Sequence, residues 1–124
     1  MQDWAIDLVR KRAGDRCEYC RLAQELSGLR FHIEHIIPRK HGGTDDVDNL
    51  ALACPECNLR KGPNLSGIDP ETGKVTRLFH PRRQNWDDHF RAASGRLNGK
   101  TAAGRATIKV LGINMAHRVG LRRL

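Results

Sequence analysis

Apolar and polar positions alternate along this chain with two different periods. Between Asp3 and Ala13, Trp4, Leu8 and Val9 fall at helical spacing and Gly14 follows as a stop, which predicts a short amphipathic helix. Residues 29–34 (LRFHIE) alternate instead. Leu29, Phe31 and Ile33 share one side and Arg30, His32 and Glu34 the other, as in a strand with one apolar and one polar face. Residues 38–47 (PRKHGGTDDV) read as a loop and residues 50–53 (LALA) as a short apolar strand. Residues 55–61 (PECNLRK) fit a short helix with proline in its first turn, closed by Gly62 and Pro63. Beyond it the pattern predicts a loop over 64–72, a strand over 75–79, a short helix over 86–90, a helix over 101–111 and a last basic helix over 114–124. The order of elements predicts an α+β fold. The weak punctuation at 64–73 divides the chain into a core, 1–63, and a basic extension, 64–124, expected to pack on it.

Four cysteines change this picture. Cys17 and Cys20 form one C-x-x-C and Cys54 and Cys57 another, with none left over. Two such turns complete a tetrahedron of thiolates around one zinc ion, and an all-thiolate cage is closed and structural. Zn2+ is therefore expected there, pinning the turn at 16–21 to the start of the helix at Pro55. Disulfides are the competing reading. The first 14 residues mix acids with apolar residues and do not read as a signal peptide, so a cytoplasmic setting is expected and disulfides are disfavoured there. No apolar run approaches the roughly 20 residues of a membrane-spanning helix.

Charge adds a partner. The net charge is +8, and it is uneven: residues 74–124 carry 12 Lys and Arg against only Asp87 and Asp88. Such a basic half points to a polyanion, most often nucleic acid. Only six residues are aromatic, which suits phosphate contacts better than stacking of unpaired bases. The basic residues nearest the segment between the cysteine pairs, Arg39, Lys40, Arg60 and Lys61, are candidate phosphate contacts. Arg82 and Arg83, which follow Pro81, make a possible basic corner.

That segment also holds candidate chemistry. Glu34 and His35 end the first strand, Asn49 precedes the second, and Asn58 follows the last cysteine. A carboxylate and an amide oxygen suit a hard divalent cation such as Mg2+, with positions left for phosphate and water. An imidazole can take a proton from water near neutral pH.

Residues 17–62 closely resemble the HNH endonucleases. The shared pattern is Glu34-His35-Ile36-Ile37-Pro38, then Gly42-Gly43, Asn49-Leu50 and Cys54-Pro55-Glu56-Cys57-Asn58-Leu59-Arg60-Lys61. The resemblance implies a ββα-metal core and metal-dependent hydrolysis of phosphodiester bonds, in DNA or RNA, with Mg2+ or Mn2+. It implies His35 as general base, Glu34 and Asn58 as ligands of the catalytic ion, and Asn49 as the brace of the His35 loop. Glu34 replaces the commoner aspartate, and Asn58 stands where many relatives have histidine, a neutral and weaker ligand. His32 is placed as an auxiliary ligand or phosphate contact, and His41 as a solvent-facing loop residue. One small site per chain suggests nicking, with double-strand breaks needing two visits or a dimer. The alternative from another class is a zinc-stabilised DNA-binding module without catalysis.

Overall fold

The computed structural model describes residues 1–124. Helix α1, Asp3–Ala13, ends where Gly14 takes a left-handed φ of 62° and its N–H returns to Arg10 and Lys11. The helix buries Ala5 and Val9, one turn apart, against the later strand of the core, while Trp4 and Leu8 face outward. The narrow seam follows from the arginines: Arg12 reaches over to the carbonyls of Val47 and Leu50, and Arg10 to that of Phe31. A short turn, α2 (Gln24–Ser27), leads to β1 (His32–His35). Two single turns at Arg39–His41 and Val47–Asn49 carry the loop to β2 (Leu50–Ala53), and α3 (Pro55–Lys61) follows directly.

β1 and β2 pair antiparallel, with Glu34 opposite Ala51 and His35 opposite Leu50. The sequence expectation differs here in two respects. Leu29 lies outside the strand and is exposed, and Glu34, assigned to the polar face, is buried. α1 packs on β2 and α3 on both strands, so the polar face is covered at Glu34 while His32, on the same face, stays exposed.

The second half holds two more hairpins than local pattern predicts. β3 (Ser66–Ile68) occupies part of the expected loop and pairs with β4 (Val75–Arg77). After the short helix α4 (Trp86–His89), β5 (Phe90–Ala93) and β6 (Arg96–Gly99) pair through Ser94 and Gly95, both at positive φ. Positive φ at both central residues is the turn geometry whose twist matches antiparallel strands. Helix α5 (Ala102–Val110) is capped by Thr101, whose hydroxyl accepts from the Gly104 N–H, and α6 (Ala116–Arg122) closes the chain. A single buried cluster joins Leu50, Leu52 and the four cysteines to Leu78, Phe79, Phe90, Leu97, Leu111 and Ile113, so the extension contributes to the same core. No helix is long and apolar enough to cross a membrane.

Candidate functional site

The four cysteines meet. Cys17 and Cys20 sit on a knuckle whose Arg21 holds a left-handed φ of 69°, with the Cys17 N–H donating to Leu22 O. Cys54 caps α3, its sulfur accepting from the Cys57 N–H at 3.4 Å. All four are buried and reduced, and their sulfurs lie within 4.8 Å of one another. The Cys20 and Cys54 sulfurs are 3.8 Å apart, far beyond a disulfide bond. Four thiolates about 2.3 Å from a zinc ion would stand about 3.8 Å from each other, so the donor set fits that ion. Arg118 of α6 donates to Cys57 Sγ at 2.9 Å and to Cys54 Sγ at 3.5 Å. Burial opposes its charge, yet the neighbouring thiolate of Cys57 holds the guanidinium more firmly protonated than usual.

Glu34 sits inside the hairpin's junction with α3. Its Oε1 accepts from the Tyr19 hydroxyl at 2.8 Å and lies 3.3 Å from Lys61 Nζ, while Lys61 also donates to Ile36 O at 2.9 Å. Its Oε2 is buried without a partner. Burial pushes the Glu34 carboxyl up to about 7 against the opposing pull of Lys61 and Tyr19. A buried carboxylate oxygen with nothing to bond is what a missing cation would leave, so this residue fits a metal-ligand role. Asn58 lies one turn before Lys61 on α3, half-buried.

His35 ends β1, and its Nε2 lies 2.7 Å from Asp45 Oδ1. Arg39 donates to the same oxygen at 2.6 Å. The bond from His35, and then Arg39, hold the Asp45 carboxyl below its ordinary value. Asn49 fixes both sides of this pair. Its Oδ1 accepts from Ile37 N at 2.8 Å, and its Nδ2 donates to Ile37 O at 3.0 Å and Thr44 O at 2.9 Å. The strand end after His35 and the carbonyl before Asp45 are thus gripped by one side chain. Glycine is required beside it: a Cβ on Gly43 would stand 1.6 Å from Ile37 O.

The predicted basic residues divide. Lys40 and Arg83 are exposed; Arg39 is exposed but bonded to Asp45, and Arg60 pairs with Glu56 at 3.3 Å. Lys61 and Arg82 turn inward instead. Lys61 is 2% exposed, and Arg82 is clamped onto Glu18 and reaches Leu50 O. Each has found a buried carboxylate that would otherwise stand alone. His32 is exposed, and His41 is exposed with its Nε2 3.1 Å from Pro63 O. Sequence reasoning passed over Tyr19, Asp45 and Arg118. Tyr19 lies between the first two cysteines and Asp45 two positions after Gly43, which were available signals; Arg118 carries none.

Residues 17–64 match the family model described as HNH endonuclease, so the resemblance read from Glu34-His35, Asn49 and Asn58 holds over that segment. Among curated proteins, the chain is similar to Septu protein PtuB of Bacillus thuringiensis, 25% identical over 109 residues. The match covers 86% of this chain and 40% of that protein, so the chain spans well under half the length of this relative. No solved structure matches the chain.

Proposed function

We propose that this chain is a metal-dependent endonuclease that hydrolyses phosphodiester bonds in DNA. The observation that supports it best is the pair of consecutive residues at the end of β1: an imidazole bonded to Asp45 and, one position before it, a carboxylate whose buried oxygen has no partner. His35 gives Nε2–H to Asp45, which leaves Nδ1 as the nitrogen that accepts a proton from the attacking water. Asp45 carries the opposite charge as the ring becomes imidazolium. Asn49 keeps the ring's strand and Asp45's loop at fixed separation. Glu34 and Asn58 would hold a divalent ion, Mg2+ or Mn2+, which when bound stabilises charge on the phosphate and on the leaving 3′ oxygen. The products on this reading are a 5′ phosphate and a 3′ hydroxyl. Zn2+ in the cysteine cage is structural, residues 1–63 carry the chemistry, and the basic residues of 64–124, with Lys40, supply phosphate contacts. A cytoplasmic setting goes with the same reading.

One observation favours a second reading, a zinc-stabilised DNA-binding module. Lys61 Nζ already stands 3.3 Å from Glu34, an ammonium where a metal ion would otherwise be needed. Supercoiled plasmid incubated with Mg2+ or Mn2+ separates the two. Nicking by the wild type that disappears in His35→Ala supports the nuclease; equal DNA binding without nicking by both supports the module.

A further inference from the structure

Directly behind the His35 strand end lies a cavity of about 320 Å3. One wall is Ile36 and Ile37, the two residues that follow His35, and Leu78 faces them from beyond β4. Lys61, which touches Glu34, forms part of the same lining. The cavity therefore shares a wall with the candidate active site.

Its polar lining mixes the neutral groups of Asn64, Thr76 and Gln84 with basic ones. Arg77 and Arg83 line it and enter no ion pair. His80 lines it too. Its Nδ1 accepts from the N–H groups of Arg82 and Arg83, at 3.2 and 3.3 Å, so a neutral ring carries its proton on Nε2. Burial, and then the charges of Arg83, Arg77 and Lys61, make that ring harder to protonate than usual.

The volume sits at the low end of ligand sites, which run from about 300 Å3 upward. That is room for one nucleotide, not for a stretch of duplex. We propose that the cavity holds a single unstacked nucleotide of the substrate strand, next to the phosphate that is cut. Its phosphate is taken by Arg77, Arg83 and the His80 Nε2–H, and its base and sugar rest on Ile36, Ile37 and Leu78. Phe79 lines the cavity but is packed edge-on against Phe90, so the wall offers aliphatic contact and not a stacking platform. A nucleotide must leave the duplex to enter, so the site selects single-stranded, frayed or distorted DNA over intact duplex. This inference rests on the nuclease reading for its choice of ligand, but its test needs no cleavage.

The zinc-loaded protein, without added divalent ion, is titrated with dAMP and with a 12-nucleotide strand, single or annealed, while the His80 ring resonances are followed by NMR. A saturable shift with both ligands and at least about ten-fold tighter binding of the single strand than of the duplex are expected. Arg83→Ala, an exposed change, and Ala103→Leu, which fills the cavity, should each weaken dAMP by about ten-fold, with far-UV spectra unaltered. An unmoved His80, undiminished binding in Arg83→Ala, or equal affinity for strand and duplex overturns the proposal. Saturable dAMP binding with equal affinity for strand and duplex marks a free-nucleotide site and equally overturns it. Plasmid nicking by the same preparation reports separately on the nuclease reading.

Discussion

Arg118 Nη2 lies 2.9 Å from Cys57 Sγ, joining the last helix to the cysteine cage. Zinc with four thiolates carries a net charge of −2, and this guanidinium is the one cation in direct contact with it. Replacing Arg118 by Met keeps much of its bulk and removes the charge. Zinc release to a colorimetric chelator should become about 10–100-fold faster, the usual scale for groups that support metal ligands. Removing the ion altogether should abolish the far-UV signal, because the cage pins the 16–21 knuckle to α3; a preserved spectrum would refute this.

His35→Ala should lower the nicking rate by about 10²–10⁴-fold, the range for loss of a general base. Asp45→Ala should lose less, since the ring remains and only its orientation is freed. Rates measured at saturating plasmid separate this from weakened binding: kcat should fall while KM holds.

Gly43→Ala should be severe for a residue of its size. The added carbon would overlap Ile37 O, so the loop that Asn49 grips must open. A stability loss of about 2 kcal/mol or more is expected by chemical denaturation, with loss of nicking. Asn49→Ala should give the same pattern, because three bonds go at once.

The Glu34 carboxyl, raised to about 7 by burial, makes stability depend on pH. Between its ordinary value and about 7 the folded chain holds a proton that the unfolded chain has released, so stability falls as pH rises through that window. The loss is on the order of 3 kcal/mol at most. Denaturation midpoints between pH 4.5 and 7.5 test this. Glu34→Gln should flatten the slope, and so should saturating Mn2+, which would favour the charged carboxylate.

Phosphate contacts and structural arginines should separate by salt. Lys40→Ala and Arg83→Ala should each reduce the slope of log affinity against log salt by about 1, leaving stability unchanged. Arg82→Ala and Lys61→Ala strand a buried carboxylate, at a cost of about 3–5 kcal/mol. Deleting residues 74–124 tests nothing about binding, because Phe79, Phe90 and Leu111 belong to the shared core and would leave with them.

What could be read from the sequence follows from the range of each interaction. The cysteine spacing, the β1–loop–β2–α3 order and the position of Glu34 and His35 at the end of β1 are local, and each is found where local pattern puts it. The inward turn of Glu34 is not local: its partners Tyr19 and Lys61 lie 15 positions before it and 27 after. A period-two rule alone sends a carboxylate to solvent. The β5–β6 hairpin escaped because only Leu97 is a buried apolar residue in its second strand, and its Ser94-Gly95 turn lies within a polar stretch. Arg82 and Arg83 are adjacent in sequence and opposite in role, a distinction drawn by Glu18 more than 60 residues away.

Tyr19 sits between two sulfur ligands and donates its hydroxyl to Glu34, so the four residues from Cys17 to Cys20 span both proposed ion sites. A preparation short of zinc would then hold two populations, one competent and one inert, in place of a uniformly sluggish enzyme. Turnover per mole of chain would scale with zinc content, while the Michaelis constant of the surviving fraction stayed where it was.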